Sequence, residues 1–388
     1  MAAAPRRHFS AVMARTGALQ AHRTSNGSRT PPVVDSQKHL RRACAAVRLA
    51  SRLCADAQRR LDPEDAAAKG DASPVTVADY AAQAIVSHAL RDEDGRLPNM
   101  VAEEAADELR KSTEEAKRLR SRVAALVNET LAAFPDTKDQ ILSEEEVLDA
   151  IDAGAATGGP IGAFWVLDPI DGTRGFVGMR QYSVCLARLQ DGKLEIGVLG
   201  CPNLPTRALE DGDGDVDAAV RDQGELGCLF AAAKGWGARV GPLFEGDVVP
   251  SGPPLRLGAN GKAEASPRFM ESFETRHSRH EVSAAVAHKL GVERPSLKLD
   301  SQCKYGALAR GDAPMFMRFP PKGYKEKIWD HAAGAIIVEE AGGVVSDARG
   351  NALDFSEGRF LEVEEGIIAA TPDMHRKLVD AVQSVLLK

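Results

Sequence analysis

The sequence predicts a mixed fold, α+β over its first part and α/β over its second, and three observations carry that expectation. Apolar residues recur at helical spacing in the long stretches before residue 135, four β-rich runs crowd between residues 164 and 233, and helix-like and strand-like segments alternate beyond Gly258.

Along Ser36–Leu61 the residues Leu40, Val47, Leu49, Leu53, Cys54 and Leu61 line one side of a long helix, with Asp62-Pro63 as its stop. A second helix is expected over Ala78–Leu90, after the extended, β-branched stretch Pro74-Val75-Thr76-Val77. Asp79 then falls in its first turn, where the helix dipole favours a carboxylate. Ala105–Phe134, with Leu109, Leu119, Val123, Leu126 and Leu131, predicts a further long helix or helix pair on a solvated flank. Ser143 and Glu146 fit a capping box that opens a short helix to Ala153, so the acids 144–146 read as structural rather than as metal ligands.

After Gly158-Gly159, strands are expected over Phe164–Leu167, Ser183–Leu189, Leu194–Leu199 and Cys228–Ala233. With Asp191-Gly192 as a hairpin turn, they form an antiparallel meander. Beyond Gly258, helices over His280–Leu290, Gln302–Arg310, Asp330–Ala341 and Pro372–Leu387 alternate with strands over Ser296–Leu299, Met315–Phe319, Gly343–Ser346 and Gly366–Ala370. Two domains follow, 36–257 and 258–388, behind a leader over 1–35. The acidic run Glu210–Asp215 reads as an exposed loop, since no bidentate Glu stands where a calcium loop based on Asp211 would need it.

With 44% hydrophobic and 27% charged residues, the 388-residue chain is long enough and apolar enough to bury a core. Its net charge of −7, from 49 basic and 56 acidic residues, excludes a broad basic surface for coating nucleic acid. That charge is uneven: the first 34 residues contain no acid and carry five arginines, and removing their +5 leaves −12. Rich in Ala, Arg, Ser and Thr and without an apolar core segment, they resemble a transit peptide for chloroplast or mitochondrion. An unstructured tail on a cytoplasmic protein is the alternative. The six cysteines are scattered with no C-x-x-C, so reduced buried thiols are expected. No apolar run approaches a membrane span, and a soluble protein without membrane or nucleic-acid partners is expected.

The chemistry is concentrated in Asp168-Pro169-Ile170-Asp171-Gly172-Thr173. A strand there delivers two carboxylates, a proline stiffens the turn, and helix-start amides at Gly172 and Thr173 are placed to meet a phosphate. Hard divalent cations take such oxygen ligands. A D-x-x-D pair alone is weak evidence, but five specified residues in order match by chance in a chain of this length on the order of once in ten thousand. Two further acidic segments join it: Val101-Ala102-Glu103-Glu104, and Trp329-Asp330 before an apolar helix.

These motifs resemble the lithium-sensitive, Mg²⁺-dependent phosphatases of the inositol monophosphatase superfamily, with their D-P-x-D-G-T loop and later W-D-x-x-x-G helix. Within it they look most like the 3′(2′),5′-bisphosphate nucleotidases, through Thr173-Arg174-Gly175-Phe176, Gly200-Cys201-Pro202-Asn203, Asp300-Ser301-Gln302-Cys303-Lys304-Tyr305 and Lys325-Glu326-Lys327-Ile328-Trp329-Asp330-His331. The resemblance, over nearly all of Ser36–Lys388, implies a layered αβαβα sandwich; a monomer is expected. It makes Glu103, Asp168, Asp171, Asp330 and the Ile170 carbonyl ligands of Mg²⁺, although Ala102 replaces the usual glycine of a G-E-E motif. It makes Asp79 and Thr173 the pair that orients and deprotonates the attacking water; taken alone, Asp79 reads as a first-turn helix acid. Contacts to substrate fall to Thr173, His277, Ser301, Lys304, Arg318 and Asp330. Taken alone, Arg318 reads equally as a sheet-surface charge and His277 as a polar loop residue.

The implied reaction is hydrolysis of the 3′-phosphate of adenosine 3′,5′-bisphosphate, and of its 5′-phosphosulfate analogue, as part of sulfur metabolism. An inositol phosphatase shares the same acidic cage and is the nearest alternative. A silent nucleotide sensor would have lost part of that cage, which is complete here.

Overall fold

The computed structural model describes residues 33–61, 74–209, 226–258, 267–273, 278–363 and 365–386. Residues 1–32 of the expected leader, the acidic run 210–215 and His277 therefore lie outside the described residues, while the last three positions of that leader already belong to the first helix.

Helices α1 (Val33–Arg59) and α2 (Pro74–Ala89) pack side by side on the first sheet. Pro74-Val75-Thr76-Val77 is helical rather than extended. A proline suits the opening position of a helix because its missing N–H would have no intrahelical partner there. Val77 and Ala78 bury into the core, which overrides weak local propensity. Asp79 consequently lies past the first turn. Helix α3 (Glu114–Ala132) starts later than its sequence pattern suggests, at an N-cap where the Thr113 side chain accepts from the Ala116 N–H. The residues before it turn inward instead, burying Ala106 and Leu109 while Arg110 pairs with Glu145, Asp149 and Asp152. Helix α4 (Glu144–Asp152) has the expected capping box.

The first sheet has six strands in sequence order: β1 (Met100–Ala102), β2 (Ala163–Asp171), β3 (Ser183–Gln190), β4 (Lys193–Pro205), β5 (Leu226–Ala233) and β6 (Gly237–Pro242). From β2 onward it is an antiparallel meander, and Asp191 and Gly192 turn the β3–β4 hairpin with φ of +51° and +73°. Strand β1 adds in parallel, pairing Ala102 with Leu167.

The second sheet is mixed. It is formed by β7 (Phe269–Glu271), β8 (Leu297–Lys298), β9 (Met315–Arg318), β11 (Val344–Asp347) and β13 (Ile367–Ala370), in the order β11-β13-β9-β7-β8. A small antiparallel pair, β10 (Glu326–Lys327) with β12 (Phe360–Leu361), stands apart. Helices α7 (Cys303–Arg310) and α8 (Ala332–Glu340) fill the space between the sheets, with Tyr305, Leu308, Ile337 and Val338 in a core shared with both. Helices α6 (His280–Lys289) and α9 (Pro372–Leu386) cover the outer face of the second sheet. The layers are thus α, β, α, β, α. No helix among the described residues is long and apolar enough to cross a membrane.

The expected helix over Asp330–Ala341 is two pieces, a 3-10 turn Ile328–Asp330 and then α8. His331 breaks it at φ −138°, because its two ring nitrogens bond the Tyr305 hydroxyl at 2.8 Å and Glu326 at 3.0 Å. The break frees Asp330 from the helix surface. Where the W-D-x-x-x-G spacing puts a glycine, at Gly334, a Cβ would lie 2.4 Å from the Tyr305 ring, so a close approach requires that residue.

Candidate active site

A cavity of about 350 Å³ opens where β1, β2, the 300–305 segment, β9 and the 328–330 turn meet. Residues 168 and 171 would face opposite sides of a regular strand, but the β2–β3 register shifts between them, in a stretch where Pro169 has no N–H for the ladder. Both carboxylates therefore reach one cavity. Glu103 leaves β1 just past the Ala102–Leu167 pair, which sets it beside Asp168. Asp330 comes from the 3-10 turn. Gly172 turns the chain at φ +89°, and a Cβ there would press on Ser301 at 3.0 Å, so the loop tolerates no side chain.

The four carboxylates crowd one another. Burial, then the charges of Glu103, Asp171 and Asp330, push Asp168 well above the usual carboxylate range. Burial raises Asp171 to about 6 against the pull of Lys304 and the Gln302 amide, and raises Asp330 to about 7 against that of Arg318. Burial and Glu104 raise Glu103, opposed by Lys327. The same causes hold Asp79 high, burial first, then Glu104 and Glu103. Asp168 is 2% exposed, yet its Oδ1 has no hydrogen-bond partner. An orphaned anionic oxygen among like charges, in an all-oxygen donor set, fits a hard divalent cation.

The opposite wall is cationic. Arg318 and Lys304 line the cavity, with Arg174 and Lys327 beside the acids. Arg318 is held by Glu326, whose two oxygens accept from its Nε at 2.7 Å and Nη2 at 2.9 Å. Lys304 is 3% exposed, and its Nζ donates to the carbonyls of Leu299 (3.0 Å) and Ser301 (2.8 Å). Glu326, Asp330 and His331 lie close enough to suggest a second cation site. Glu326 is instead committed to Arg318 and His331, so only Asp330 of that trio remains for a cation.

The inositol monophosphatase family model matches residues 43–387. The chain belongs to that family. Its relatives include the 3′(2′),5′-bisphosphate nucleotidase 1 of Arabidopsis thaliana, 47% identical over 89% of this chain and 96% of that one. The 3′(2′),5′-bisphosphate nucleotidase of Schizosaccharomyces pombe is 40% identical over 91% and 97%. Among solved structures, the fold is shared with CysQ of Bacteroides thetaiotaomicron (18% identity, TM-score 0.53, 86% of this chain and 97% of that one). It is shared also with an inositol monophosphatase from Anabaena (18% identity, TM-score 0.52, 90% and 97%).

As a member of a metal-dependent family, the chain brings Glu103, Asp168, Ile170, Asp171, Thr173, Ser301, Lys304, Arg318 and Asp330 to one cavity. Thr173 opens the short helix α5 (Thr173–Val177), which α2 contacts, while Asp79 on α2 is buried with Glu103 and Glu104 near it and is not among the residues lining the cavity. The departure at Ala102 is accommodated by Gly154, where a Cβ would lie only 2.7 Å from the alanine methyl. Glu103 lines the cavity, while the backbone of Glu104 is fixed by Gln83, which exchanges hydrogen bonds with its N–H (3.1 Å) and C=O (2.8 Å).

Gln302 was missed as a functional residue. Buried at 1%, it donates its amide to Asp171 Oδ2 at 2.5 Å and its Nε2 to the Trp329 carbonyl at 2.7 Å, and accepts from the Gly334 N–H at 2.9 Å. It ties the loop bearing Asp171 to the turn bearing Asp330. It stands at the N-cap of α7 among the polar residues Asp300, Ser301 and Lys304, so no local pattern singles it out.

Proposed function

We propose that the chain is a Mg²⁺-dependent phosphatase that removes the 3′-phosphate of adenosine 3′,5′-bisphosphate, yielding AMP and phosphate, and acts likewise on the 5′-phosphosulfate analogue. The names of its relatives support the substrate class. One observation carries the chemistry: the buried Asp168 carboxylate, whose Oδ1 has no hydrogen-bond partner and which Glu103, Asp171 and Asp330 crowd, shares a single cavity with the Arg318 guanidinium.

Glu103, Asp168, Asp171, Asp330 and the Ile170 carbonyl would hold Mg²⁺, which supplies charge neutralisation at the phosphoryl oxygens and the departing 3′-oxygen. Asp79, held above its ordinary range by burial and by Glu104, is suited to take a proton from water through the Thr173 hydroxyl. Arg318 presents its remaining guanidinium edge to a substrate phosphate, its other edge being fixed by Glu326. Lys304 contributes its charge while keeping Ser301 in its left-handed conformation, φ +64°, at the cavity wall. His277 completes the proposed substrate contacts. The acid-free first 34 residues support import into an organelle.

Phosphate release measured side by side on adenosine 3′,5′-bisphosphate and inositol 1,4-bisphosphate, with Mg²⁺, tests this. The nucleotide is expected to have the higher kcat/KM; the reverse order overturns the nucleotidase reading. Asp171→Asn is expected to abolish release on both.

A further inference from the structure

Arg359 lies 256 positions after Glu103, just before β12, and touches the residues that immediately precede two of the four carboxylates. Its Nη2 donates to the carbonyl of Ala102, next to Glu103, at 2.5 Å. Its Nη1 donates to the carbonyls of Ala156 at 3.0 Å and Gly154 at 3.2 Å. The guanidinium carbon stands 4.8 Å from the ring centroid of Trp329, next to Asp330.

The backbone completes the tie. The Ile328 N–H donates to the Arg359 carbonyl at 3.1 Å, and Lys327 pairs with Phe360, so the 3-10 turn bearing Asp330 is fastened to the arginine's own backbone and to the strand that follows it. The Gly154 carbonyl that Arg359 bonds also accepts the Ala102 N–H at 2.9 Å. A three-residue strand has little pairing of its own; Leu167, the Gly154 carbonyl and Gln83 hold the segment around Glu103 locally, and Arg359 adds the tie from it to the turn bearing Asp330. The clamp requires an arginine. Three diverging carbonyls and an indole face call for a planar, multi-donor group, whereas a lysine offers a point charge.

We infer that Arg359 is a positioning residue that registers Glu103 against Asp330 and so sets the affinity of the acidic cluster for a divalent cation. This rests on the proposed carboxylate ligands. Groups that orient metal ligands from behind typically change affinity by about 10- to 100-fold when removed.

Isothermal titration of Mg²⁺ into the metal-free, nucleotide-free full chain reads the effect directly. Arg359→Gln is expected to weaken binding about 10- to 100-fold and Arg359→Lys by less. Thermal unfolding in EDTA identifies folded variants, and Arg359→Lys, which keeps charge and stem, decides the matter if Arg359→Gln does not fold. Glu340→Gln is the control for general loosening, since Glu340 bonds the distant Gly235 and Gly237 amides. Folded Arg359 variants with wild-type affinity, or a loss matched by Glu340→Gln, overturn the inference. Glu103→Gln in the same titration separates the two levels. If it too binds like wild type, the carboxylate assignment fails; if it alone is weak, only the clamp fails.

Discussion

Replacing Glu326 by glutamine should be costly for a residue outside the acidic cluster. Glu326 is fully buried and accepts two N–H groups from Arg318 and one contact from His331. Burial by itself would raise its pKa, but the Arg318 guanidinium and His331 outweigh that and hold it at about 2, against an ordinary 4.5. At about 1.4 kcal/mol per pH unit, this lowering corresponds to about 3 kcal/mol of stability near neutral pH. An independent figure agrees: removing one partner of a buried ion pair leaves the other charge uncompensated and costs about 3–5 kcal/mol. The lower end is expected because Asp330 also faces Arg318.

Chemical denaturation of wild type and Glu326→Gln, in EDTA, measures the difference. The sign follows from a depressed folded-state pKa. The difference is full above about pH 4.5 and shrinks as pH falls through the range toward 2. Glutamine also releases Arg318, so KM for the nucleotide should rise more than kcat falls. A variant within about half a kcal/mol of wild type at pH 7.5, or a difference independent of pH between 3 and 7, would refute the reasoning.

Asp79→Asn should lower kcat by about 10²- to 10⁴-fold with little change in nucleotide KM; steady-state kinetics retaining more than a tenth of wild-type kcat would remove Asp79 from water activation. The metal-free protein should lose stability as pH rises. Asp171 and Asp330 have folded pKa values of about 6 and 7, above the roughly 3.9 of an unfolded aspartate, so the folded state binds more protons between about pH 4 and 7. Thermal midpoints in EDTA are therefore expected to be lower at pH 8 than at pH 5, with Mg²⁺ narrowing the gap; a flat or rising profile contradicts the crowding of the acids. Gly334→Ala should cost about 1–3 kcal/mol by driving a methyl into the Tyr305 ring and disturbing its bond to His331. An unchanged denaturation midpoint would show that the ring yields freely.

Much of the fold was legible because its signals are local. The Ser143–Glu146 capping box, the Asp191-Gly192 turn and the short apolar runs of strands 183–190 and 193–205 depend on neighbours a few residues apart. Where the expectations slipped, packing from elsewhere decided the outcome. Burial of Val77 and Ala78 drew a β-branched stretch into α2, and the Tyr305 and Glu326 bonds to His331 split the expected helix after Asp330. Edge strand β6 hides its pattern behind Gly237, Gly241 and Pro242, and the short strands β7, β10 and β12 carry too few residues for a period to show.

The acidic half of the site was readable for the same reason, since Asp168 and Asp171 share one six-residue motif and Glu103 and Asp330 lie in short motifs of their own. Residue types and spacing determined which groups the chain owns and what class of ligand they suit. Only the folded chain decided their partners. Glu326 occupies one edge of Arg318, Lys304 turns to the Leu299 and Ser301 carbonyls, Gln302 joins Asp171 to the Asp330 turn, and Arg359 reaches back 257 residues to Ala102. The Gln302 and Arg359 bonds cross between segments with no common local pattern, and a hydrogen bond between such groups is set by where the layers bring them.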